Sequence, residues 1–127
     1  FYVQYAHARI RAMQRKAADL GITCTTVDLS QLDTRELDLV KLAAQFPRIV
    51  ETAATAREPH RIAFYLNDLA AEFHGLYNLG NDQPERRFVI EGNAVITCAR
   101  LFLADAIGQI VRNGLAIMGV QAVEEMN

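Results

Sequence analysis

The chain has 127 residues, 51% hydrophobic and 22% charged, which suits one folded domain with a real core and argues against disorder. Its formal net charge is −2, so a broad electrostatic attraction to nucleic acid is excluded and any such binding must come from a local patch. Of the 13 basic residues only Lys16 and Lys41 are lysines; the rest carry the flat, multi-donor guanidinium.

Phe1 to Leu20 predicts a first helix. Val3, Ala6, Ile10, Met13 and Ala17 recur at steps of three and four, so one face can meet a core. Between them stand Tyr2, Tyr5, His7, Arg9, Arg11, Arg15 and Lys16, before any acid appears at Asp19. Rings and cations of this kind suit stacking on bases and pairing with phosphates. Tyr5 lies one turn before Arg9, so both could meet the same nucleotide. Equally, Tyr2 and Tyr5 could be core aromatics with solvated arginines beside them.

Gly21 should stop this helix in a left-handed cap, and Ile22 to Asp33 reads as a loop. Asp33 and Glu36 have capping-box spacing and should start a short helix running to about Gln45. Pro47 stands where the first turn of another helix belongs. Pro59 begins the clearest amphipathic pattern, with Ile62, Tyr65, Leu66, Leu69, Phe73, Leu76 and Tyr77 on one face. Asn78 to Pro84 is the main turn signal, and Glu85 to Ile90 is short and ambiguous. Asn93 to Met118 then reads as one helix of about 39 Å, ending at Gly119. Nothing reads as a strand. The expected fold is all-α, a bundle of about five helices in a single domain over residues 1–127.

Cys24 and Cys98 are far apart and in no metal-ligand spacing, so reduced thiols in a cytosolic protein are expected. No run approaches the length of a membrane span; the stretch from Leu101 to Ala104 is cut by Asp105. The chain opens inside a helical pattern without an initiating Met, which suggests an excised fragment. Enzyme signatures are missing: there is no Gly-rich phosphate loop, no GxSxG, no HExxH and no four-ligand zinc pattern. Asp68 and Glu72, one turn apart, read better as solvated like charges than as a cation site.

Four segments carry a family resemblance. Phe1-Tyr-Val-Gln-Tyr-Ala-His-Ala-Arg-Ile10 resembles the junction between the catalytic core and the C-terminal helical domain of arginyl-tRNA synthetases. Pro59-His-Arg-Ile-Ala-Phe-Tyr-Leu-Asn-Asp-Leu-Ala70 is similar to the second hallmark of that domain. Ala99-Arg-Leu101, Val111-Arg-Asn-Gly-Leu115 and Met118-Gly-Val120 are similar to the third, and Val123-Glu-Glu-Met126 to the family's ending on Met. The resemblance covers essentially the whole chain, in order.

It implies the all-helical DALR anticodon-binding domain of a class I synthetase, with the anticodon stem-loop of arginine tRNA as partner and neither DNA nor membrane. Tyr5 matches an aromatic expected to pack on an anticodon-loop base, and Met126 a residue expected near the same loop. Asn127 follows it and would displace a terminal carboxylate by one position. Arg9 and Arg100 match recurrent arginines, Arg100 being equally able to anchor helices through buried hydrogen bonds. Phe88, beside Arg86 and Arg87, lies near a turn that could flank the loop. Pro59-His60 and Asn113-Gly114 read as a helix start and a close packing point. The fragment itself would need no cofactor. ATP with magnesium, and catalysis, would belong to the catalytic domain of the same parent chain, a cytoplasmic arginine–tRNA ligase. The alternatives are a non-catalytic helical protein-interaction module and an enzyme whose site no motif reveals.

Overall fold

A computed structural model describes residues 1–126. Five α-helices follow one another: α1 (Tyr2–Asp19), α2 (Thr34–Ala43), α3 (Phe46–Ala56), α4 (His60–Asp82) and α5 (Ala94–Ile117), with short 3₁₀ turns at Leu29–Gln31 and Pro84–Arg86. Among the described residues there is no strand. The helix α4 is the hub, touching all four others, while α1 and α5 also pack on each other. The stripe predicted on α1 is the one buried: Ala6, Ile10, Met13 and Ala17 join Leu66, Leu69, Phe73, Ile107 and Val111 in one core.

The helix ends follow from local chemistry. After α1 the Ile22 amide donates to Ala17 O and the Gly21 amide to Ala18 O, with Gly21 at φ +73°. That is the left-handed cap, and Gly119 ends α5 in the same way at φ +75°. Both bonds of the capping box at α2 are present at 2.9 Å, Glu36 N to Asp33 Oδ1 and Asp33 N to Glu36 Oε1. The Tyr65 hydroxyl donates to the last carbonyls of α2, Leu42 O at 2.8 Å and Ala43 O at 3.2 Å. At Gly114 an added Cβ would stand 2.8 Å from Leu66 Cδ1, so the missing side chain sets how closely α5 crosses α4.

Four expectations change. The turn predicted over Asn78 to Pro84 starts late: α4 runs on to Asp82, and the chain leaves the helix only at Gln83 before the 3₁₀ turn at Pro84. Tertiary contact overrides the local signal there, because Leu79 packs against the core and Gly80 is buried under Arg87. Secondly, α5 is long and apolar enough to cross a membrane by length and composition, which the reading of short apolar runs had not anticipated. Half of its most apolar window is buried in the bundle and serves as core, while Val95, Phe102 and Ile117 stay exposed.

Thirdly, Cys24 and Cys98 are joined in a disulfide, their Cα atoms 5.5 Å apart across 74 positions of sequence. The cap at Gly21 turns the chain back toward the first turns of α5, a proximity that residue spacing cannot reveal. Fourthly, Arg100 is an interior residue. It is 5% exposed, with Nε 2.7 Å from Glu36 Oε2 and Nη1 donating to the backbone oxygens of Glu85 and Arg87. Asp33, whose other oxygen pairs with Arg86 at 2.5 Å, closes this network between α2, α5 and the 84–89 segment.

Candidate nucleic-acid interface

The polar side of α1 meets α4 and the C-terminal tail around a cleft of about 390 Å³. Tyr5, Arg9 and Arg15 project from α1 at spacings of four and six, over a floor of Ala8 and Ala12. Tyr77 enters from α4, and Glu125 and Met126 from the tail. Three residues expected from the sequence, Tyr5, Arg9 and Met126, thus line a single site. Asn127 lies outside the described residues, so the displaced-carboxylate expectation has no structural counterpart here.

Arg9 is the best-defined side chain of the cleft. Its guanidinium carbon stands 4.0 Å from the Tyr77 ring centroid and 4.5 Å from that of Tyr5. Nη2 donates to the Tyr5 hydroxyl at 2.8 Å and Nη1 to His74 Nδ1 at 2.9 Å. A guanidinium has five N–H donors and no acceptor, so most of its donor capacity remains for a ligand. Tyr5 keeps 40% of its surface exposed while stacking on His74, ring centroids 5.2 Å apart. The site therefore offers an open ring and a half-buried cation held in place before any ligand arrives, which suits an unstacked base and its phosphate.

His74 is the support. Arginine can only donate, so Nδ1 must accept, and Nε2 carries the hydrogen given to Tyr2 O at 3.2 Å. Burial holds the His74 pKa below its ordinary 6.5, with the Tyr2 bond opposing and the Arg9 charge reinforcing the shift. The neutral ring is the form that the arrangement requires.

The tail reaches the cleft because α1 provides a rail for it. Gln4 Nε2 donates to Gln121 O at 2.8 Å, and Gln4 Oε1 accepts from Val123 N at 2.8 Å. One turn on, His7 Nδ1 donates to Val123 O at 2.6 Å, and Arg11 pairs with Glu124 at 2.9 Å. The first and last motifs of the sequence are thus one structural unit. His7 also accepts from Arg112 at 3.0 Å, and burial again dominates in keeping its pKa below 6.5.

Arg100 and Phe88 stand apart from this cleft. The Arg100 guanidinium is committed to Glu36 and two carbonyls, which makes it a strut between elements. Phe88 is 2% exposed and packs on Phe73 and Tyr77, with centroids at 5.6 and 6.4 Å, so its ring backs Tyr77. Sequence reasoning placed Tyr77 only on the apolar face of α4 and missed His74, Gln4 and His7 as supports. The available signal was Gln-Tyr-Ala-His itself, whose polar members flank Tyr5 at positions where a core helix would carry apolar residues. No group of three His, Cys, Asp or Glu side chains placed to hold a metal ion occurs among the described residues.

The chain is similar to known proteins over nearly its whole length. The family described as the DALR anticodon binding domain matches residues 3–126. An arginine–tRNA ligase of Novosphingobium aromaticivorans is 60% identical over 126 residues, covering 99% of this chain and 22% of that protein. One from Azorhizobium caulinodans is 49% identical over 134 residues, covering 99% of this chain and 23% of the relative. The structure of Thermus thermophilus arginyl-tRNA synthetase superposes with a TM-score of 0.80 at 32% identity, over 98% of this chain and 21% of that one. The chain thus spans less than a quarter of the length of these relatives.

Proposed function

The chain belongs to the DALR anticodon-binding domain family, and from that premise we propose that it recognises the anticodon loop of arginine tRNA within a larger arginine–tRNA ligase. The parent would join arginine to its tRNA in the cytoplasm, using ATP and magnesium in a catalytic domain that supplies the remaining partner surface. The observation that carries this reading is the convergence of Tyr5, Arg9, Tyr77 and Met126 on one cleft. Splayed loop bases stack on rings of this kind, and each stack is worth roughly 1–3 kcal/mol, enough to matter on a chain of net charge −2. Arg9, already oriented by Tyr5 and His74, would hold a base edge or phosphate without paying much ordering entropy.

The test is a titration of arginine tRNA and an anticodon-changed counterpart against the complete protein and its Tyr5→Ala and Arg9→Gln variants. Tyr5→Ala should weaken cognate binding by roughly 1–3 kcal/mol and narrow the gap between the two tRNAs. If both variants bind as the parent does, with discrimination intact, the cleft is not the reading surface. That outcome would favour the helical interaction module, for which an apolar recess of about 310 Å³ between Val50, Ala53, Ile62 and the 53% exposed Ile117 offers a docking face.

A further inference from the structure

Tyr77 also lines a second recess, of about 260 Å³, further along α1. Its inner wall is apolar, made by Met13, Phe88 and Val89, and its polar groups are Lys16, Asn81 and Arg87. No carboxylate lines it. Lys16 makes no ion pair among the described residues, and neither does Arg87.

Arg87 is held in place by several constraints. Its Nε donates to Gly80 O at 2.9 Å, which leaves both terminal amino groups free of that bond. A Cβ on Gly80 would stand 2.7 Å from Arg87 Cγ, so this approach depends on the glycine. The Arg87 carbonyl receives the buried Arg100 at 2.7 Å, and Arg100 is itself paired with Glu36. A surface arginine with its backbone tied to the interior and one edge tied to a helix carbonyl loses little freedom on meeting a ligand.

Lysine and arginine have donors and no acceptors, which matches both a phosphodiester and the O6/N7 edge of guanine, but only the phosphodiester carries the negative charge that two cations would neutralise. Two uncompensated cations with an amide beside them therefore fit an anion better than a base. We infer that this recess binds a backbone phosphodiester of the RNA, adjacent to the nucleotide whose base lies against Tyr5 and Tyr77. The inference rests on the anticodon-loop reading above and adds to it a phosphate subsite formed by Lys16, Asn81 and Arg87. Tyr77, common to both recesses, would separate base from phosphate.

The experiment measures tRNA affinity of the complete protein across about 50 to 200 mM salt, for the parent, Lys16→Gln, Arg87→Gln and Tyr5→Ala. Each charge removed from the recess should flatten the dependence of log affinity on log salt by roughly one unit or slightly less. Binding should weaken equally for cognate and anticodon-changed tRNA. Phosphate-ethylation interference on end-labelled tRNA should lose one anticodon-loop position in Lys16→Gln. The exposed Lys16 carries the decisive variant, since Arg87→Gln also removes a bond to Gly80. An unchanged slope and interference pattern in Lys16→Gln overturns the phosphate subsite. So does an unchanged pattern accompanied by loss of inorganic-phosphate binding, which would make the recess a site for free phosphate. If Tyr5→Ala still loses discrimination in either case, the anticodon-loop reading stands without the subsite; if Tyr5→Ala is also silent, that reading fails as well.

Discussion

The imidazole of His7 donates a 2.6 Å hydrogen bond to the carbonyl of Val123, 116 positions along the chain. With the paired bonds from Gln4 it lays the tail along α1 and brings Met126 to the cleft of Tyr5 and Arg9. One side of the cleft is therefore built by non-helical backbone whose position depends on two polar side chains of a helix.

Removing the Gln4 amide should loosen that side selectively. Gln4→Ala deletes two hydrogen bonds to the tail, each worth about 0.5–1.5 kcal/mol. The expected outcome is faster hydrogen exchange at the Val123 amide, with α4 and α5 amides unchanged. Uniform acceleration across the domain would show that the tail is not a separate unit.

Acid should weaken both histidine supports. His7 and His74 have pKa values below 6.5 in the folded chain, mainly through burial. Between 6.5 and those lowered values the unfolded chain binds protons that the folded chain refuses, so stability is full above pH 6.5 and falls as the pH drops through this window. Urea midpoints should therefore decrease from neutral pH toward the lower end of the window. His74 protonation would also remove the acceptor that holds Arg9. Midpoints that stay level across the window would contradict the neutral-ring assignment.

The Arg100–Glu36 pair should matter for stability far more than for direct tRNA contact. Arg100→Ala leaves a buried carboxylate without its partner, an arrangement that typically costs about 3–5 kcal/mol. Replacing both, as Arg100→Met with Glu36→Leu, should recover much of that loss, less about 1 kcal/mol for the broken capping box. Chemical denaturation of the single and double variants distinguishes this from a surface role, in which Arg100→Ala would leave the midpoint near the parent's.

Reduction of the disulfide should lower stability without abolishing the fold. Closing a loop across 74 positions is worth at most about 4.5 kcal/mol in the chain-entropy model. Cys24 is exposed, so a small thiol can reach the bond. Thermal unfolding with and without dithiothreitol should show a lower transition for the reduced chain, and Cys98→Ser should behave like the reduced parent. Indifference to reductant would mean that the bond contributes nothing.

The helices were readable because their signals are local. The stripe from Val3 to Ala17, the Asp33 and Glu36 box, the prolines at 47 and 59 and the glycines at 21 and 119 each act within a turn or two of chain. The turn expected from Asn78 begins only at Gln83 for the complementary reason. Its residues favour a turn, but the burial of Gly80 beneath Arg87 and the packing of Leu79 reward continued helix.

At the cleft, the sequence by itself determined that a ring and a guanidinium stand one turn apart on α1, and the family motifs singled out Tyr5, Arg9 and Met126. Only the tertiary structure decided that Tyr77 and His74 complete their surroundings, that Gln4 and His7 carry the tail to them, and that Arg100 is committed to the interior. Arg100 also shows why identity of residue type was insufficient. An arginine serves equally well as an RNA contact or as a buried strut, and the difference lies in whether a carboxylate 64 positions away packs against it. The two cysteines pose the same problem, since closeness between distant residues is set by how helices pack and not by any pattern along the chain.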